Sequence, residues 1–64
     1  MLTDSRDIIR RLEREGWVRV RVKGSHHQYK NPATGRRTTV THPRKDMPIG
    51  TVRAIYADAG WSRD

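Results

Sequence analysis

Two adjacent histidines, His26 and His27, follow Gly24-Ser25 and a run in which valines alternate with cations, Val18-Arg19-Val20-Arg21-Val22-Lys23. Among ordinary side chains only imidazole changes charge, unperturbed, near neutral pH. A histidine displayed among cations is therefore suited to general acid–base chemistry on a phosphate ester. RNA supplies its own nucleophile in the 2′-hydroxyl. A base has only to remove that proton while nearby cations stabilise charge building on the phosphoryl oxygens. Such a site calls for no metal and no cofactor. One positioned acid–base group contributes about 10²–10⁴-fold, so an enzyme with one working histidine is expected to be slow.

Which imidazole is displayed depends on the strands that carry it. Strict alternation over Trp17–Lys23 predicts a half-buried strand, and Gly24-Ser25 has the composition of a two-residue type II′ hairpin loop. His26 to Lys30 is then the returning strand. If Gly24-Ser25 is the whole loop, Lys23 pairs with His26, Val22 with His27, Arg21 with Gln28, Val20 with Tyr29 and Arg19 with Lys30. Parity then sends Val18, Val20, Val22, His27 and Tyr29 toward the core. Arg19, Arg21, Lys23, His26, Gln28 and Lys30 are left on the other face.

Two helices are expected to cover the inner face. Residues 3–15 read as the first, capped by Thr3 or Ser5, with Asp4 and Asp7 in its first turn, Ile8, Ile9 and Leu12 as its apolar stripe, and Gly16 closing it. Asn31-Pro32-Ala33-Thr34-Gly35 is a turn, and Arg36 to Thr41 a third strand. Pro48 fits the first turn of the second helix, in which Ile49, Val52, Ile55, Tyr56 and Ala59 recur at helical spacing before Gly60. Each element has one apolar face, so both helices belong on the same side of an antiparallel three-stranded sheet. The fold class is α+β, in a single domain over residues 1–64.

Composition narrows the partners. The chain has 64 residues, 14 of them Lys or Arg against 7 acids, for a net charge of +7. Only 11 residues are Leu, Ile, Val or Phe. That content sits on the disordered side of the usual boundary, and it is the periodicity that argues for a fold. Eleven of the cations are Arg, whose planar fork suits bidentate phosphate contacts. A phosphate polymer is the commonest polyanion such a surface meets. The chain contains no cysteine, which fits a reducing, cytoplasmic setting and leaves no thiolate metal site. No apolar run approaches the roughly 20 residues of a membrane span, and there is no signal-peptide pattern.

The segment Gly24-Ser25-His26-His27-Gln28-Tyr29, followed by His42-Pro43-Arg44-Lys45-Asp46-Met47-Pro48-Ile49-Gly50-Thr51-Val52-Arg53-Ala54-Ile55 and Ala59-Gly60, resembles the HicA toxins of HicA–HicB toxin–antitoxin systems. The resemblance covers nearly the whole chain, including the opening helix that ends at Glu15-Gly16-Trp17. It implies a double-stranded-RNA-binding-domain-like α-β-β-β-α fold and a metal-independent, ribosome-independent endoribonuclease acting on mRNA. It places the catalytic histidine on His26 and names a HicB antitoxin as protein partner. The family's usual Leu in the Gly-Thr-Leu helix start is Val52 here, a conservative change.

Plainer roles stand beside these. His27 is expected to pack in the core, and it becomes the catalytic member if the turn slips by one residue. His42 is expected to orient the approach to the second helix. Zinc is disfavoured because adjacent strand residues point apart and no Cys or spaced pair completes a ligand set. Gly24 serves the turn, Tyr29 packs inward, and Trp17 is open to either core packing or base stacking. Arg36, Arg37, Arg44 and Lys45 either extend an RNA track or meet acids of a partner. The strand cations also deter sheet aggregation. The reading is a toxin endoribonuclease with His26 as general base or acid, Lys23, Arg21 and Lys30 as phosphate contacts, and Gln28 positioning RNA. Its rivals are a non-catalytic RNA-binding module of the same fold and a basic adaptor for an acidic protein.

Overall fold

The computed structural model describes residues 1–63. Asp64, the last residue of the expected domain, lies outside them. The elements run α1 (Ser5–Arg14), β1 (Val18–Lys23), β2 (His26–Lys30), β3 (Arg37–Thr41) and α2 (Ile49–Ala59). The strands form one antiparallel sheet in the order β1-β2-β3. Residues of both helices share one apolar cluster with Tyr29 and Val40, so the expected α-β-β-β-α order holds and the other face of the sheet is open. No helix among the described residues is long and apolar enough to cross a membrane.

Asp4, rather than Thr3 or Ser5, caps α1. Its backbone is extended, and its carboxylate accepts the Arg6 N–H at 2.9 Å. Ser5 is already helical and fully buried, with its hydroxyl engaged elsewhere. Hydrogen bonds from Arg6 hold the Asp4 carboxyl down at about 2. The two helices end alike. Gly16 N–H bonds Glu13 C=O and Trp17 N–H reaches back to Leu12 C=O; Gly60 and Trp61 repeat the pattern on Ala57 and Tyr56. This double back-bond satisfies carbonyls the helix leaves orphaned, and each time it turns a tryptophan into the core.

Those tryptophans explain how so few aliphatic residues suffice. Trp17, Tyr29, Tyr56 and Trp61, every aromatic ring of the Phe/Trp/Tyr class in the chain, are buried with Ile8, Leu12, Val40, Met47, Val52 and Ile55. Each large ring removes about 150–250 Å² from water. Tyr56 and Trp61 meet edge to face at 5.1 Å, and the Arg11 guanidinium lies 4.2 Å over the Trp61 ring. Trp61 Nε1 donates to Glu15 at 2.7 Å, so the C-terminal segment is fastened to α1. Trp17 is therefore a core residue and is withdrawn from base stacking. Ile49 is half exposed at the start of α2 and lies off the buried stripe.

The larger departure is in β1. Lys23–His26, Val22–His27 and Arg21–Gln28 pair as expected, but a bulge between Arg19 and Arg21 leaves Val20 unpaired and shifts the register beyond it. Arg19 thus faces Tyr29, and Val18 faces Lys30. The cause is a conflict of parity. Trp17 and Val22 lie five residues apart, and in an unbroken strand they point to opposite faces. Both belong on the helix side, so one extra residue must be absorbed between them, which is what a bulge does. The valines also fail to reach the core: Val18, Val20 and Val22 are 49%, 46% and 48% exposed. The helices make their main sheet contacts with β3, and β1 is an uncovered edge strand. Alternation separates two faces of a strand without saying that either is covered.

Candidate nucleic-acid interface

The hairpin sets the displayed imidazole. Gly24 takes φ 57° while Ser25 stays at negative φ, the combination a type II′ loop needs at its first central residue and glycine adopts without strain. With the loop confined to these two residues, His26 begins β2 directly opposite Lys23 on one side and Thr41 on the other. Its side chain is exposed on the open face. Around it, Arg21, Lys23, Gly24, Ser25, His26 and Gln28 line a shallow depression of about 630 Å³. Lys30 shares the face but lies four residues along β2, about 13 Å from His26 at strand rise, beside Arg37 and Val18. Arg19 is carried to the helix side by the bulge. Arg21, Lys23 and Gln28 therefore gather with His26, Lys30 stands apart, and Arg19 is removed from the set.

The β2–β3 register adds residues that sequence reasoning did not assign to this face. Thr41 is opposite His26, Thr39 opposite Gln28 and Arg37 opposite Lys30. The alternation in Arg37-Thr38-Thr39-Val40-Thr41 carried that signal, since Thr38 and Val40 are the buried members. Thr38 Oγ1 donates to Asp58 at 2.9 Å, which accounts for a buried polar residue.

The charge on this face is unbalanced. No acidic residue occurs in any strand. The ion pairs among the described residues all involve α1 cations: Arg6 with Asp4, Arg10 with Asp7 and Arg11 with Glu15. Among the described residues Arg21, Lys23, Lys30 and Arg37 pair with no carboxylate, so the sheet presents cations ready for an external anion. Arg36 differs, because its guanidinium donates to Ala57 C=O at 3.2 Å and serves the end of α2. Arg44 and Lys45 line a separate depression with Asp4, Arg6 and Pro43.

The other two histidines form a second, inward pair. His27 and His42 meet edge to face at 5.1 Å. Burial, then His42 and Arg19, makes His27 less basic than an ordinary histidine, and its Nδ1 is buried without a hydrogen-bond partner. His42 Nδ1 lies 2.8 Å from Ser5 Oγ. Contact between these rings was not expected from their spacing. Among the described residues no group of three His, Cys, Asp or Glu is arranged to hold a metal. Burial, and the Glu13 charge, push the Tyr29 hydroxyl up, as befits its place in the core.

Chemically, the open face offers one solvent-accessible imidazole, two cations and an amide within a single concavity. The imidazole can move a proton, the cations can hold a phosphoryl group, and the amide can donate to or accept from a base or sugar. Residues 5–61 match a family model described as HicA toxin of bacterial toxin-antitoxin. None of the curated proteins compared matches the chain.

Proposed function

The chain belongs to the HicA toxin family, and on that premise we propose that it is a metal-independent endoribonuclease that cleaves mRNA and needs no cofactor. The observation that carries this reading is the exposed His26 ring set opposite Lys23 in a cationic depression that no acidic side chain lines among the described residues. His26 takes the proton of the 2′-hydroxyl. The O2′–P bond forms, the P–O5′ bond breaks, and the departing 5′-oxygen receives a proton from the imidazolium or from water. Lys23 and Arg21 stabilise the charge that builds on the non-bridging oxygens. Gln28 positions the nucleotide, and Lys30 holds a phosphate further along the strand. The domain spans residues 1–64 and acts in the cytoplasm, where mRNA is found.

A toxin–antitoxin partner follows from the family. We assign that role to a HicB-type antitoxin whose acidic groups cover the basic face. One observation favours a second reading, a non-catalytic RNA-binding module: among the described residues no carboxylate orients the His26 ring. Incubating purified protein with RNA in EDTA separates the two. Cleavage by the wild type and not by His26→Ala supports the enzyme. Salt-sensitive binding that leaves RNA intact supports the module.

A further inference from the structure

His26 begins a strand immediately after a two-residue turn, in a hairpin whose β1 arm has no helix over it. Hairpin ends of this kind fray unless something outside the hairpin holds them. Here the anchor is His42. Its backbone N–H donates to Ser25 C=O at 2.8 Å, one residue before His26. Its ring meets the His27 ring at 5.1 Å, one residue after. The residue that carries the reactive group is thus gripped on both chain neighbours by one side chain and its own amide.

His42 is in turn fixed to α1. Ser5 is completely buried, and its Oγ accepts the Arg44 N–H at 2.9 Å. The other hydrogen-bond partner of the hydroxyl is His42 Nδ1 at 2.8 Å. Ser5 N–H donates to Arg44 C=O at 2.8 Å, closing a two-way link between the start of α1 and the segment after β3. The path from helix to site is short: Ser5, His42, then the Ser25 carbonyl and the His27 ring.

We propose that His42, oriented by Ser5, is a positioning residue for His26, holding the hairpin turn so that the imidazole keeps its place opposite Lys23. This rests on the ribonuclease reading above. His42 touches no RNA; it acts through the backbone on either side of His26. A displacement of about 1 Å at a reacting group is enough to cost about 10²-fold, so a loosened turn shows in turnover before it shows in binding.

The full chain is compared with His42→Ala, His42→Asn and Ser5→Ala. The readouts are kcat and KM on an RNA oligonucleotide in EDTA, thermal melting, and amide hydrogen exchange by residue. Asn at this position sets an amide oxygen where Nδ1 stood and keeps the bond to Ser5. In His42→Ala, kcat falls by about tenfold or more with KM changed less than about twofold. Exchange at His26, His27 and the residue-42 amide, which donates to Ser25 C=O, quickens by about tenfold while α2 amides keep their protection. His42→Asn, which keeps the bond to Ser5 and lacks the ring contact with His27, recovers part of the lost turnover. A folded His42→Ala protein with wild-type kcat and wild-type exchange at the turn overturns the proposal. So does exchange that rises equally in α2, which marks a general loss of stability. If the wild type cuts no RNA, the ribonuclease reading fails instead, and the exchange pattern alone decides for or against the anchoring of the turn.

Discussion

Lys23 and His26 face each other across the hairpin as the last pair before Gly24-Ser25. Directly opposed residues on antiparallel strands have Cβ atoms about 4.5–5.5 Å apart, so an ammonium and an imidazole on one face can reach the same phosphodiester. Arg21 and Gln28 form the next such pair on that face. Two consecutive cross-strand pairs thus supply a proton acceptor, two cations and an amide without any loop having to fold over them.

This arrangement separates binding from proton transfer. Lys23→Ala and Arg21→Ala each weaken RNA binding about equally for all sequences. Each also lowers the slope of log K against log salt by about 0.7, the share of one phosphate contact on single-stranded nucleic acid. Arg10→Ala, which removes a cation already paired with Asp7 on α1, leaves the slope nearly unchanged. Fluorescence anisotropy with a labelled RNA over a range of salt concentrations measures both effects.

Stability follows the helices rather than the valines. Leu12 is fully buried, and Leu12→Ala costs about 2–5 kcal/mol, a large share of the few kcal/mol that a domain of this size holds. Val20 is 46% exposed at the bulge, so Val20→Ala changes stability by less than about 1 kcal/mol. Urea unfolding of the two variants beside the wild type gives the comparison.

The contrast between those two residues shows how far the sequence carries. Turn composition and period-two alternation were enough to read the hairpin and the three pairs nearest its loop, because a two-residue turn fixes register over a short distance. They were not enough past Val20. A parity argument holds only along an unbroken ladder, and no glycine marks this bulge. Its one legible sign was the odd spacing between Trp17 and Val22. The burial of the tryptophans was hidden too, since composition counts aliphatic residues and takes no account of a helix end that folds an aromatic ring back inward. The contact between Ser5 and His42 spans 37 positions and follows from the packing of α1 beside the end of β3, which no local pattern announces.

His27 confers an acid sensitivity distinct from that of the carboxylates. Burial holds its folded pKa below the ordinary value of 6.5. Above 6.5 folded and unfolded chains both carry it neutral, and it has no effect on stability. As pH falls through 6.5 the unfolded chain takes the proton first, so stability is lost on acidification until the lower folded pKa is passed. The melting temperature therefore begins to drop near pH 6.5, well before carboxylates titrate at about 4. His27→Gln flattens the change between about pH 7 and 5. Thermal melts at half-unit pH steps test it; equal slopes in the two proteins contradict it.

The most direct test sets His26→Ala against His27→Ala, each compared with wild type on one RNA oligonucleotide in EDTA, with rates corrected for the folded fraction. The account predicts that His26→Ala melts like the wild type, binds RNA and does not cut it, while folded His27→Ala still cuts. Cleavage that survives His26→Ala, or that is lost only with His27, contradicts the claim that the outward imidazole does the chemistry.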